Sequence, residues 1–125
     1  MPHYEWSTYA FNSGVKVYRY QFTKDNGYYG TYHSGELIYF YGNIGRSPRK
    51  FAYKAEDLSL SDKIVSYIVN FVKTGNPNGI DLNTWDEWTP SNNKLLELGT
   101  NTNMFEEPHL EAYTIIDRWN ERRTH

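Results

Sequence analysis

His33 is the residue of this chain whose type and surroundings best suit acid–base chemistry. It lies in a turn rich in small residues, directly after the best strand candidate and before the short apolar segment 36–41. A turn histidine beyond a strand end is where an α/β enzyme would place a general base. The simpler interpretation is a partly buried turn residue without chemistry, and the residues around His33 alone favour it.

Two neighbours of His33 could take part in such a site. Ser34 is adjacent in sequence, but neighbouring side chains in a turn usually diverge, so it is a poor candidate for the nucleophile that a base would activate. Glu36 could fix the turn by accepting hydrogen bonds from backbone N–H groups. It could equally be a solvated glutamate in the first turn of a short helix.

Other kinds of reactive site find little support. The four histidines, at positions 3, 33, 109 and 125, show no metal-ligand spacing, and the absence of cysteine excludes disulfides and thiolate sites. No Gly-Lys-Ser/Thr follows the glycines of the loop, and no serine lies in a Gly-x-Ser-x-Gly pattern. We therefore expect no metal ion and no cofactor.

Length and charge narrow the class of protein. A chain of 125 residues is expected to form one domain, and its net charge of −2 argues against nucleic-acid binding. No run approaches the ~20 apolar residues of a membrane span. The first six residues lack the basic and apolar regions of a signal peptide. If the chain is the whole gene product, we expect it in the cytoplasm.

One strand candidate stands out at residues 15–22. It is rich in β-forming residues and bounded by turn residues on both sides, and period two places Tyr18, Tyr20 and Phe22 on one face. No second run of comparable quality is available to pair with it, although 94–98 could form a short edge strand. Because a lone strand cannot satisfy its backbone groups, the chain reads as part of a larger sheet.

The clearest helix is predicted at residues 59–73. Its apolar residues repeat on one helical face, Ser59 and Asp62 resemble a capping box, and Gly75 suits a left-handed C-cap. The face consists of Leu60, Ile64, Ile68, Phe71 and Val72.

The remaining segments are less regular. A final helix is predicted at 108–123, with Leu110, Ile116 and Trp119 as its buried face. Residues 36–41 predict one or two helical turns and residues 43–57 a mobile surface loop. Residues 1–14 fit either a poorly defined arm or a short helix closed by a turn.

Several motifs occur in an order that resembles the C-terminal region of type-B carboxylesterases, the serine-esterase family that includes cholinesterases and para-nitrobenzyl esterases. The matches cover roughly residues 15–120. They include Val17-Tyr18-Arg19-Tyr20-Gln21-Phe22, the family's last central strand; Tyr32-His33-Ser34-Gly35-Glu36-Leu37 with Tyr39 and Gly42-Asn43, its catalytic-histidine segment; Leu58-Ser59 and Asn70 to Asn78 around Gly75 and Pro77; Trp85, Trp88, Leu95 to Leu98 and Trp119. Asp86 departs from the pattern, since the family often has proline there.

The resemblance implies the C-terminal part of an α/β-hydrolase fold, as a single partial domain over 1–125. It would hold one clear central-type strand, the catalytic-histidine loop and two main helices, and be mostly helix and loop when alone. It also implies that His33 is the base of a Ser–Asp/Glu–His triad. Since the chain order in this fold is Ser, then Asp/Glu, then His, the nucleophile, the acid and the oxyanion-hole donors would lie upstream.

Two functions remain open at this point. The chain could be a fragment of a serine carboxylesterase that acts on a small carboxylic ester once an upstream polypeptide completes it, and that is inactive alone. It could instead be a stand-alone, non-catalytic protein that binds a partner. Such a protein must cover apolar surface, so self-association through the strand edge or the 60–72 helix face is expected.

Overall fold

The computed structural model of the chain describes residues 2–25, 31–49 and 52–123. Four helices and three strands make up most of it. In chain order they are α1 (Pro2–Asn12), β1 (Tyr20–Phe22), α2 (Leu37–Phe40), α3 (Ala55–Thr74), β2 (Lys94–Leu98), β3 (Met104–Glu106) and α4 (Leu110–Arg123), with a 3-10 helix at Ile44–Arg46.

The three strands form one sheet in the order β1-β2-β3. β1 and β2 are parallel, with Tyr20 opposite Leu96, and β2 and β3 are antiparallel. The strand predicted at 15–22 is shorter in the structure, where β1 covers only Tyr20–Phe22. The segment 94–98 is the central strand of the sheet, so the expectation of an edge strand there was wrong.

The outer edge of β1 is open in the described part of the chain. The C=O of Arg19 accepts a 3.0 Å hydrogen bond from the N–H of Leu96 on β2. Because backbone groups alternate along a strand, those of Tyr20 and Phe22 point to the opposite edge, where the described residues supply no strand. These unpaired backbone groups could pair with a further strand at this edge of the sheet.

The hydrophobic core lies where α2 and α3 pack against the sheet. It is formed by a single cluster of buried side chains: Tyr39, Ile44, Leu60, Ile64, Tyr67, Trp85, Leu96 and Leu98. Each such side chain contributes about 1.5–3 kcal/mol when fully buried. The edge of the Tyr67 ring meets the ring of Trp85 at 5.4 Å, and this contact joins α3 to the segment before β2.

A second cluster around Trp88 attaches α1 and α4 to the rest of the chain. Tyr4 on α1 contacts both Trp88 and Tyr113 on α4, with ring centroids 5.9 and 5.2 Å apart. Beneath these rings a guanidinium nitrogen of Arg19 lies 2.8 Å from a carboxylate oxygen of Glu107, and both side chains are nearly buried. Pairing makes burial of these two charges tolerable.

α3 confirms the predicted helix and extends it. Leu60 and Ile64 are buried and Gly75 closes the helix with φ +75°, as expected. The helix begins at Ala55 rather than Ser59, so the Ser59–Asp62 capping box was wrong. Phe71 and Val72, 43% and 78% exposed, do not belong to the buried face, so that part of the prediction was wrong.

Two further expectations need correction. The described part of the segment 43–57 lies largely on the surface, as predicted, but it is not all loop: it contains the 3-10 helix Ile44–Arg46 and the first turn of α3, and Ile44 and Ala52 are buried. α4 forms as expected, but Leu110, Ile116 and Trp119 are all exposed, so its predicted buried face has no cover within the described residues. Of the two alternatives for residues 1–14, the short helix closed by a turn is confirmed, because Pro2–Asn12 forms α1.

Candidate active site

His33 lies in a tight turn that leads directly into α2. The N–H of Gly35 donates to the C=O of Tyr32 at 2.9 Å, and the N–H of Leu37 donates to the C=O of Ser34 at 3.2 Å. Ser34 has φ +63°, a left-handed conformation that a non-glycine residue adopts only when its surroundings hold it there. The turn is therefore a defined local structure.

Gly35 is required at the centre of this turn. A Cβ atom at this position would lie 2.9 Å from the carbonyl oxygen of Tyr32 and 3.3 Å from its ring. Even the smallest side chain would push the two apart, so the close approach of backbone to ring depends on glycine.

The turn lies beside the carboxyl end of β1. The hydroxyl of Thr31 donates to the C=O of Lys24, two residues beyond the strand, at 3.3 Å. This contact brings the residues before His33 back to the strand end. In α/β sheets the carboxyl ends of the strands are the edge at which ligands bind.

The His33 side chain is exposed, and within the described residues it forms no hydrogen bond or ion pair. No carboxylate of that part of the chain orients the imidazole. Ser34 is exposed as well. Glu36 forms no side-chain hydrogen bond as the N-cap of α2, so of its two alternatives the contact with backbone N–H groups is not found.

Two cavities are found among the described residues, and His33 lines neither of them. A groove of about 500 Å³ is lined by His3, Trp6 and Tyr113 among others, and a hollow of about 140 Å³ by Lys24 and Glu56 among others. No three His, Asp or Glu side chains of the described ranges gather as a metal site would require. In the same ranges no helix combines the length and apolar character needed to span a bilayer.

A buried polar cluster supports the histidine turn, and the sequence analysis did not find it. The hydroxyl of Tyr39 donates to Asp57 at 2.7 Å, and the ammonium group of Lys24 lies 2.9 Å from Glu56 and 3.8 Å from Asp57. Burial, and secondly the hydrogen bond to Asp57, raise the pKa of Tyr39 far above its ordinary value. The only sequence signal was an acidic pair before an apolar helical pattern.

The chain is similar to known carboxylesterases. A model of the carboxylesterase family matches residues 2–116. The chain belongs to the carboxylesterase family. Acetylcholinesterase of Gallus gallus is 33% identical over 92 residues, which cover 68% of this chain and 12% of that protein.

Solved esterases show the same fold. A carboxylesterase of Geobacillus stearothermophilus superposes with a TM-score of 0.70 at 19% identity, covering 83% of this chain and 22% of its own. A PNB esterase gives 0.67 at 24% identity, covering 79% and 21%, and a thermophilic PNB esterase gives 0.67 at 26%, covering 78% and 21%. These carboxylesterase neighbours are α/β-hydrolases, so this member of the family has the fold of the C-terminal part of an α/β-hydrolase, as the resemblance implied. It spans about a fifth of the solved relatives.

The buried tyrosines predict that this carboxylesterase family member loses stability in alkaline solution. Burial raises the pKa of Tyr39 and of Tyr67 above that of a free phenol, about 10. Above that pH the unfolded chain releases phenol protons that the folded chain retains, so the free energy of unfolding falls as pH rises.

Urea denaturation should therefore give a nearly constant midpoint between about pH 7 and pH 9 and a falling midpoint above about pH 10. Tyr39→Phe should make the alkaline fall shallower. A midpoint that does not change between pH 8 and pH 10.5 would show that these phenols titrate alike in both states.

Proposed function

We propose that this chain is a single partial domain, the C-terminal fragment of a serine carboxylesterase, and that His33 supplies the general base of its triad. The serine nucleophile, the acidic residue and the oxyanion-hole donors would come from an upstream polypeptide. The substrate would be a small carboxylic ester, and the chain alone would be inactive.

The observation that carries the proposal is the position of His33. In a chain of the carboxylesterase family, an exposed histidine stands in a defined turn beside the carboxyl end of a parallel strand. Exposure leaves the imidazole free to meet a serine hydroxyl from another polypeptide. The unpaired backbone groups at the open edge of β1 offer a place where a strand of that polypeptide could extend the sheet.

The mechanism follows from the chemistry of the imidazole. Neutral His33 takes the hydroxyl proton as the serine oxygen attacks the ester carbonyl, and then gives that proton to the departing alcohol. In the second half of the cycle His33 takes a proton from water, which attacks the acyl-enzyme, and returns it to the serine oxygen. The base must come within about 2.6–3.2 Å of the serine oxygen.

Two assays test this proposal. The isolated chain should show no His33-dependent hydrolysis of p-nitrophenyl acetate, because no serine is activated and no oxyanion hole is formed. Co-expression with the polypeptide encoded directly upstream should give hydrolysis. A robust turnover by the isolated chain that His33→Ala abolishes would contradict the requirement for a partner. An upstream sequence that encodes no Gly-x-Ser-x-Gly would contradict the fragment itself.

A second candidate function is a non-catalytic binding protein that self-associates. The observation that favours it is exposed apolar surface: Val72 is 78% and Ile80 91% exposed, and Trp6 and Tyr9 on α1 are exposed as well. Light scattering at rising concentration should then show a dimer or larger assembly. A monomer at all concentrations would count against this candidate and leave the esterase fragment.

A further inference from the structure

The turn that carries His33 is held at both ends by one turn of α3. Lys24 precedes the turn in the chain and Tyr39 follows it, and both side chains reach the same buried carboxylate, Asp57. Lys24 and Tyr39 are thereby connected through one carboxylate of α3, which restricts where the exposed His33 between them can lie.

Tyr39 holds the end that follows His33. Its hydroxyl donates to Asp57 at 2.7 Å, and its C=O accepts a 2.8 Å hydrogen bond from the hydroxyl of Ser61. Both partners belong to α3. α2 has only four residues and is too short to be stable alone. These two bonds, together with the packing of the Tyr39 ring in the core, hold it against α3.

Lys24 holds the end that precedes His33. Its side chain is 3% exposed, and its ammonium group lies 2.9 Å from Glu56 and 3.8 Å from Asp57. Its C=O accepts the hydrogen bond from Thr31 at 3.3 Å. The ion pair with α3 is thereby connected to the residue two positions before His33.

Asp57 joins the two ends and has little freedom to move. It is fully buried, one carboxylate oxygen accepts from Tyr39, and the other accepts a 2.8 Å hydrogen bond from the N–H of Lys54. A buried carboxylate that lost these partners would be strongly destabilised. The cluster of Lys24, Tyr39 and Asp57 therefore has one well-satisfied geometry.

We propose that Lys24, Tyr39 and Asp57 are positioning residues for the catalytic histidine, a clasp that sets the place of the His33 imidazole relative to the sheet. This inference rests on the proposed function. A base acts only when it is held within reach of the serine oxygen, and a misplacement of about 1 Å can cost about 100-fold in rate. The clasp acts through the turn and touches neither substrate nor nucleophile.

Tyr39→Phe tests the clasp, with Tyr67→Phe as a matched control. Both substitutions remove only the hydroxyl of a buried tyrosine. Tyr67 donates to the C=O of Asn83 at 2.6 Å, away from the His33 turn. In the isolated chain, amide hydrogen exchange at Gly35 and Leu37 should be about tenfold faster in Tyr39→Phe and unchanged in Tyr67→Phe.

Kinetics of the assembly with the upstream polypeptide separate positioning from general stability. Tyr39→Phe should lower kcat about 10- to 100-fold with little change in KM, and Tyr67→Phe should change neither. Asp57→Asn should lower kcat further than Tyr39→Phe. If Asp57→Asn fails to fold, the Tyr39→Phe result alone tests the clasp.

The outcomes distinguish the clasp from the proposed function. Unchanged exchange at Gly35 and Leu37 in Tyr39→Phe overturns the clasp, whatever the activity of the assembly. Equal kcat values for wild type and Tyr39→Phe in an active assembly overturn its positioning role. If the wild-type assembly shows no hydrolysis, the proposed function is overturned, and the role of the clasp in catalysis with it. This holds even if Tyr39→Phe speeds amide exchange at Gly35 and Leu37.

Discussion

His33→Ala is expected to lower kcat for p-nitrophenyl acetate hydrolysis by the assembled enzyme about 10⁴- to 10⁶-fold. Alanine leaves the serine without a group to take its proton, and members of a triad act as a unit, so the loss of one removes most of the acceleration. KM should change little, because the imidazole acts on the nucleophile rather than on the bound ester.

His109→Ala is the control for that measurement. His109 is also exposed and lies just before α4, where its ring meets the edge of Tyr113 with centroids 6.2 Å apart. Its loss should leave kcat within about twofold, because a substitution of an exposed side chain outside the proposed site usually changes the free energy of unfolding little. Equal losses in the two variants would show that His33 is not the base.

Trp88→Ala is expected to destabilise the chain by about 3–5 kcal/mol, the usual cost of removing a large buried aromatic side chain. Trp88 is fully buried, its indole N–H donates to Asn93 at 2.7 Å, and its ring contacts Tyr4 and Phe11 on α1. Without it, α1 loses the ring contacts that join Tyr4 and Phe11 to the segment before β2. The loss is a large share of the roughly 5–15 kcal/mol that stabilises an ordinary domain.

Urea denaturation followed by circular dichroism measures this effect. Trp119→Ala is the matched control: Trp119 is 55% exposed and stacks against Arg123, whose guanidinium carbon lies 4.6 Å from the ring centroid. That substitution should change the free energy of unfolding by less than about 1 kcal/mol. Equal effects of the two tryptophans would contradict the placement of Trp88 at the centre of the second cluster.

Local features of the fold could be predicted from the sequence, because local signals determine them. The apolar repeat around Leu60 and Ile64 predicted α3, and Gly75 predicted its end. The small residues around His33 predicted a turn, and the structure has one at residues 33–36. Each of these depends on backbone preferences and periodicity over a few residues.

Features that depend on distant parts of the chain could not be predicted. β2 was predicted as an edge strand because its sequence does not show which strands it pairs with. In the structure it pairs with β1, and Leu96 lies opposite Tyr20. Lys24 gave no sign of burial, since a lysine is buried only where carboxylates such as Glu56 meet it in the fold. The apolar repeat of α4 predicted the helix correctly. It could not show that no described residue packs against its apolar face.

The most direct test of the central proposal is a titration of the upstream polypeptide with this chain while p-nitrophenyl acetate hydrolysis is followed. If His33 supplies the base to a serine on that polypeptide, the rate should rise with added chain and saturate at one chain per serine-bearing polypeptide. His33→Ala chain should bind without restoring the rate. A rate that is independent of the added chain, or that the His33→Ala chain restores equally well, would contradict the proposal.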